Sequence, residues 1–201
     1  MKGTIFIVSA PSGAGKTTLC RKLIEKIPDI TYSISYTTRK ARKNEIDGKD
    51  YFFISKKKFL DMIKKDEFLE WAEVHGNLYG THKKQIFDLL NKGIDVILDI
   101  DTQGAKKIKA LKIMATYIFI LPPSMDVLEK RLILRGTESE DGIKKRLIQA
   151  KNEIKDYKMY DYVIFNNDLL EAVEQLCCIV IANRLHIEKI DHNFIKNKFL
   201  E

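Results

Sequence analysis

The segment Ala10-Pro11-Ser12-Gly13-Ala14-Gly15-Lys16-Thr17 constrains this chain more than any other. It follows directly on the apolar run Ile5-Phe6-Ile7-Val8 and matches G-x-x-x-x-G-K-[ST] at every position but the first. Gly13 and Gly15 admit backbone conformations closed to other residues, so successive N–H groups can turn inward, and a helix opening at Lys16 adds the positive end of its dipole. A cradle of this kind takes phosphate. Lys16 would reach the β- and γ-phosphates of a nucleoside triphosphate and the Thr17 hydroxyl would ligate Mg²⁺ directly, with Thr18 closing the candidate ATP-binding loop. A ligand-free glycine turn between strand and helix requires neither the lysine nor the threonine. Ala10 departs from the pattern, which matters only if that position needed a positive φ.

Beyond the loop, buried-strand runs alternate with helical patterns, the signature of crossover units and a mostly parallel sheet. Strands are expected at 5–8, 32–36, 94–100, 116–121 and 162–165, each rich in β-branched or aromatic residues. Helices are expected at 16–26, 83–91, 104–111, 125–135 behind the cap Ser124, and 169–186 behind the cap Asp168. The class is α/β, a parallel five-stranded core sheet flanked by helices. Two stretches break the alternation. The first, about 35–81, carries a short strand at 50–54 and a helix capped by Ser55, and reads as an inserted subdomain. The second, about 126–160, is helical, polar and rich in Lys and Arg, with Gly136 and Gly142 as candidate hinges of a mobile lid. The core is then about 1–34, 82–125 and 161–201, with an extra helix expected in the tail beyond Ile187. A chain of 201 residues without internal repeats fits one such domain.

The net charge of +7, from 35 Lys and Arg against 28 Asp and Glu, favours anionic ligands without naming one. At 45% hydrophobic and 31% charged, with 10 Gly and 4 Pro, the chain is neither disordered nor collagen-like. No apolar run approaches the ~18–20 residues that span a bilayer, and 5–10 is too short for a secretory signal, so a cytoplasmic protein without a membrane partner is expected. Cys20, Cys177 and Cys178 form an odd set with no CxxC pair, which suits a reducing compartment and structural roles. His75, His82, His186 and His192 show no metal-ligand spacing and receive no role.

A phosphate loop specifies nucleotide binding, not the acceptor. Other motifs speak to that: Ser35-Tyr36-Thr37-Thr38-Arg39-Lys40-Ala41-Arg42, then Gly48-Lys49-Asp50-Tyr51, Phe68-Leu69-Glu70-Trp71-Ala72-Glu73 and Gly76-Asn77-Leu78-Tyr79-Gly80-Thr81. With Leu98-Asp99-Ile100-Asp101-Thr102-Gln103-Gly104 and Arg131-Leu132-Ile133-Leu134-Arg135-Gly136-Thr137-Glu138, they make the chain resemble the guanylate kinases from about Thr4 to about Leu185. The resemblance implies a P-loop kinase fold in which an inserted GMP-binding subdomain and a helical lid close over the core. It implies ATP and GMP or dGMP as substrates, Mg²⁺ as cofactor and a place in purine nucleotide metabolism. By the same resemblance Arg39, Arg42, Tyr51 and Tyr79 hold the GMP phosphate, while Ser35, Glu70 and Thr81 contact guanine.

The residue chemistry agrees. Arginine presents a planar fork to phosphate oxygens, and tyrosine hydroxyls add donors without charge. A carboxylate at Glu70, in a run that looks helical, can accept from both N1–H and N2–H₂ of guanine, whereas adenine offers an acceptor at N1 and no N2 amine. The resemblance further puts Asp99 and Asp101 between donor and acceptor, one near Mg²⁺ through water and the other near the acceptor nucleotide. The residues do not divide those roles; Asp99 is the candidate on the metal side, and both stay among the candidate GMP contacts. Lys16, Arg39, Arg131, Arg135 and Arg146 are the candidate catalytic cations, the last three on the lid. Ala41 stands where the family commonly has proline and Leu78 where it often has an aromatic residue. The alternatives are a guanylate-kinase-like module that has lost catalysis and binds proteins, and a P-loop kinase for another nucleoside monophosphate. No recognised nucleic-acid module is present, and a homo-oligomer is left open.

Overall fold

The structure, a computed structural model, describes residues 3–74, 76–134 and 139–200. In chain order its elements are β1 (Ile5–Ser9), α1 (Lys16–Lys26), β2 (Ile30–Tyr32), β3 (Tyr36–Thr37), β4 (Phe52–Phe53), α2 (Lys56–Lys64), β5 (Phe68–Val74), β6 (Asn77–His82), α3 (Lys83–Asn91) and β7 (Asp95–Asp99). There follow α4 (Thr102–Ala110), β8 (Ala115–Leu121), α5 (Met125–Leu134), α6 (Glu140–Ile154), β9 (Tyr162–Phe165), α7 (Leu169–Arg184) and the short α8 (His192–Ile195).

Five strands form a parallel sheet in the order β2-β7-β1-β8-β9. They are apolar on both faces because both are covered. Phe6 and Val8 of β1 turn to the side packed by Leu19 and Leu23 of α1 and by Val173 and Leu176 of α7. Ile5 and Ile7 turn to the side packed by Ile86 of α3 and Ile108 of α4. Placing β1 between β7 and β8 opens a crevice beyond the carboxyl ends of β1 and β7, where open α/β sheets bind ligands. The register sets Val8 beside Asp99, so the loop after β1 and the acid ending β7 emerge together.

A second, four-stranded sheet, β4-β3-β6-β5, rises from the core. It is mixed: β3 pairs parallel with β4 and antiparallel with β6, and β5 with β6 is antiparallel. Phe59 and Met62 of α2 cover it against Phe68 and Leu78. The single strand expected over 32–36 is two: Ser33 still donates its N–H to Ile97, after which the chain leaves the core sheet and joins the second at Tyr36. The helical reading around Glu70 is also corrected, since Phe68–Val74 is a strand in which Glu70 and Ala72 are buried while Trp71 and Glu73 are exposed.

Leu128 and Leu132 of α5 pack on Ala150 of α6. Gly142 lies in the first turn of α6 and donates its N–H to the capping Ser139 hydroxyl. Gly136 falls outside the described residues. The tail beyond Ile187 is not one helix but a short 3₁₀ turn, α8 and a π-helical turn over Lys196–Leu200. No helix among the described residues is long and apolar enough to cross a membrane. The α7 cap is strong: the Asp168 carboxylate accepts from the N–H of both Leu170 and Glu171. Asp168→Ala is expected to cost about 1 kcal/mol and ~2–4 °C in Tm, read by thermal denaturation.

Candidate active site

At the carboxyl end of β1 the chain turns through Gly13 and Gly15, both with positive φ (99° and 97°), before α1 begins. Gly15 is doubly required, because a Cβ there would lie 2.3 Å from the Asn166 side-chain nitrogen. That nitrogen donates to the Ala14 carbonyl at 2.7 Å and ties the loop to the chain leaving β9. Lys16 Nζ meets Asp99 Oδ1 at 2.5 Å and donates to the Ile100 carbonyl at 3.2 Å. Burial alone would lower the ammonium's pKa, but the adjacent Asp99 charge outweighs it and holds Lys16 above the ordinary lysine value.

This loop forms one wall of a cavity of about 370 Å³ whose other walls come from the second sheet, the ends of β7 and α6. Of the expected ATP-side residues, Ala10, Pro11, Ser12, Gly13, Gly15, Lys16, Thr17 and Thr18 line it, whereas Ala14 is fully buried behind it. Opposite stand Ser35, Arg42, Tyr51, Glu70 and Tyr79, with Asp99 and Asp101 between the two sides. Asp101 also caps α4, its Oδ1 accepting from Gly104 N–H at 2.9 Å.

Glu70 is 7% exposed. Its Oε1 accepts from the Thr81 hydroxyl at 2.7 Å, and its Oε2 lies where a Cβ on Gly104 would come within 2.9 Å, so the absence of a side chain on α4 admits the carboxylate. Burial pushes the carboxyl up to about 7 and nearby Asp101 adds to the rise, against the opposing Thr81 hydrogen bond and Lys107 charge. Thr81 is itself wholly buried and acts on the cavity through Glu70.

Arg39 is held apart from the cavity wall. Its fork closes on Glu45 at 2.8 and 2.9 Å, Nη1 also donates to the Lys40 carbonyl, and the guanidinium lies 5.3 Å over the Tyr51 ring. Glu45 further accepts from Arg42 N–H at 2.8 Å, so one carboxylate organises both arginines. The Arg39 hydrogen bond to that carboxylate keeps the Glu45 carboxyl below its ordinary range.

Arg146 of α6 reaches across the cavity mouth, Nη1 donating to Ser12 Oγ at 2.7 Å. Arg131 donates at 3.3 Å to the Ala14 and Asn166 carbonyls, bracing the loop's backbone. Arg135 lies outside the described residues. No group of three or more His, Cys, Asp or Glu side chains among the described residues could cage a metal.

The comparisons with known proteins fit this arrangement. Residues 2–183 match the family model described as guanylate kinase. The chain belongs to the guanylate kinase family. It is 49% identical over 183 residues to a guanylate kinase of Geobacter metallireducens, covering 91% of this chain and 90% of that one. Against the guanylate kinase of Clostridioides difficile it is 46% identical over 200 residues, covering 100% and 97%. The crystal structure of guanylate kinase from Anaplasma phagocytophilum superposes with a TM-score of 0.80 at 35% identity, covering 98% of this chain and 96% of that one.

Within this family site several residues escaped the sequence reading. Glu45 stands three residues after Arg42, and Asn166 follows a strand as an ordinary turn residue would; only folding shows the former pairing and the latter's burial. Gln149 and Glu153 line the cavity from the inner face of α6, one and two turns on from Arg146. Gln149 Nε2 donates to Glu153 Oε1 at 2.8 Å, and burial raises the Glu153 carboxyl despite that bond. Spacing of 146, 149 and 153 was the available signal. Leu78 packs with Phe59 and Phe68 beneath Tyr79, and its N–H donates to Thr38 Oγ1, so an aliphatic side chain fills that position. His82 and His186 do have local roles, each accepting a backbone N–H as a helix cap.

Proposed function

We propose that the chain transfers the γ-phosphoryl group of ATP to GMP and dGMP, giving ADP and the corresponding diphosphate. The observation that carries this reading is that the phosphate loop and the buried Glu70 open into one cavity. Its volume is that of a small-molecule site, with anion-binding groups at one side and a guanine-complementary carboxylate at the other. Ser35 and Glu70 read the base, Thr81 holds Glu70 in place, and Arg42, Tyr51 and Tyr79 take the acceptor phosphate. Arg39 joins them by sharing with the phosphate a guanidinium whose two Nη atoms now donate to Glu45.

Phosphoryl transfer has a loose transition state with charge on the equatorial oxygens, so positioning and cations supply most of the rate. Lys16 exchanges Asp99 for phosphate oxygens, while Arg131, Arg135 and Arg146 belong to a lid formed by about 126–160 that excludes water. The Thr17 hydroxyl and the Asp99 carboxylate are hard oxygen donors, and they fit a Mg²⁺ that arrives with the nucleotide and keeps several waters. When bound, that ion neutralises charge between the phosphates. Thr17 would touch it directly and Asp99 through water, leaving Asp101 on the acceptor side.

A coupled assay of ADP release with ATP against GMP, dGMP, AMP, CMP and UMP tests the reading. Turnover with GMP and dGMP is expected, with AMP lower by ~10⁴-fold or more because the buried acceptors would stay unpaired. Equal turnover of AMP, or none with any acceptor, would overturn it.

A further inference from the structure

Beneath the phosphate loop lies a polar contact that none of the assigned roles uses. Tyr32, the last residue of β2, donates its hydroxyl to the Thr17 carbonyl at 3.2 Å. The wholly buried Cys20 lies one turn further along α1, in the apolar cluster against which Tyr32 packs. A helical carbonyl accepts from the N–H four residues on and has a second lone pair free, so the Tyr32 bond adds to the helix without replacing a bond in it.

The register gives this contact a direction. Tyr32 pairs with Ile97 on β7, and Asp99 stands two residues further along that strand on the same face. Among the described contacts, the Tyr32 hydroxyl is the polar tie from β2 to the turn of α1 that carries Lys16 and Thr17. The phenyl ring packs against the apolar cluster of α1, β1 and α7, a place that phenylalanine would fill equally well. Ring and hydroxyl therefore serve separable ends, one packing and one placement.

We propose that Tyr32 is a positioning residue of the triphosphate and metal site, its hydroxyl fixing the first turn of α1 so that Thr17 stands at the right separation from Asp99. The inference rests on the reading of Thr17 as a direct contact to nucleotide-bound Mg²⁺. Partners that orient metal-contacting residues commonly change metal affinity by 10–100-fold. Tyr32 acts on the backbone of such a residue, one step removed from the ligand atom, so an effect of about three- to tenfold is expected.

The test is calorimetric titration of ADP, with Mg²⁺ and with the metal chelated, into the parent protein and Tyr32→Phe, with GMP titrated into both. In the parent, Mg²⁺ should tighten ADP binding. In Tyr32→Phe that enhancement should shrink about three- to tenfold, with metal-free ADP and GMP affinities unchanged and Tm within about 2 °C of the parent. An equal enhancement in both proteins would overturn the proposal. So would a uniform loss across all titrations, or a large fall in Tm, either of which would make the hydroxyl merely structural. If the parent itself shows no enhancement, the Thr17 reading fails first and the role of Tyr32 fails with it.

Discussion

Lys16→Met is expected to lower kcat by ~10²-fold or more while leaving the fold intact, the loss typical of removing one preorganised electrostatic donor. Methionine keeps most of the side chain's length and its apolar stem, so the packing along α1 survives. On the proposed reading, what disappears is a cation that would tighten its hold on the phosphates as charge shifts toward the leaving group. Asp99 at 2.5 Å and the Ile100 carbonyl at 3.2 Å hold the ammonium at the mouth of the loop. Because Asp99 raises the lysine's pKa above its ordinary value, the stability this pair contributes is present across neutral pH. On the alkaline side it is lost as pH rises through the raised lysine value, so the variant's activity defect should be flat across neutral pH. In the variant Asp99 loses its partner but remains a quarter exposed, so water can solvate it and the change in Tm should be small. Steady-state kinetics and a melting curve on one preparation separate the two effects. Turnover near that of the parent would remove Lys16 from the catalytic set.

The segments legible in the sequence are those whose signals are local. α1 and α3 span the residues their patterns predict, and β9 likewise, because a cap, a glycine or a β-branched run marks each boundary within a few residues. The loop was legible for the same reason, since its chemistry depends on spacing within one turn. Glu70 shows where this fails. Phe68-Leu69-Glu70-Trp71-Ala72-Glu73 contains few β-branched residues, and Leu, Glu and Ala favour helix. Pairing with β6 overrides that preference, with Glu70 opposite Thr81 and Ala72 opposite Tyr79. The letters conceal the alternation, since the charged Glu70 is buried and the aromatic Trp71 exposed, and nothing local says which parity faces a cavity. The break between Tyr32 and Tyr36 has a similar cause, as its two halves answer to partners 65 and 44 positions away in the chain, Ile97 and Gly80. Arg131 and Arg39 were legible as cations but not in their resting contacts, which depend on the Ala14 carbonyl and on Glu45.

Glu70→Gln is the substitution on which the identity of the acceptor turns. The carboxylate offers acceptors alone, whereas the amide turns one of them into a donor facing the N–H groups of guanine. An unpaired buried polar group beside a lost charged hydrogen bond gives an expected loss of ~2–4 kcal/mol in kcat/KM for GMP, roughly 30- to 1,000-fold. Thr81 sets the lower end of that range, since its hydroxyl can rotate to accept from the amide and leave the amide oxygen toward the base. ATP affinity should hardly move, because Glu70 belongs to the second sheet. The pH profile supplies an independent check. Burial raises the carboxyl from 4.5 to about 7, so the folded protein holds a proton there that the unfolded chain has already released. Stability from this group therefore falls as pH rises from about 4.5 through 7, and its full cost is present above that. Guanine's donors select the ionised form, so GMP binding below pH 7 must expel the proton, and kcat/KM of the parent should drop by up to about tenfold per unit there. Glutamine does not titrate, and the ionisation of the nucleotide phosphate is common to both proteins. The ratio of parent to variant kcat/KM for GMP, measured from pH 5.5 to 8.5, should be flat above about 7 and shrink below it. A ratio near one throughout would mean that other residues read the base; a large but constant ratio would leave Glu70 at the base and remove its proton from the binding step.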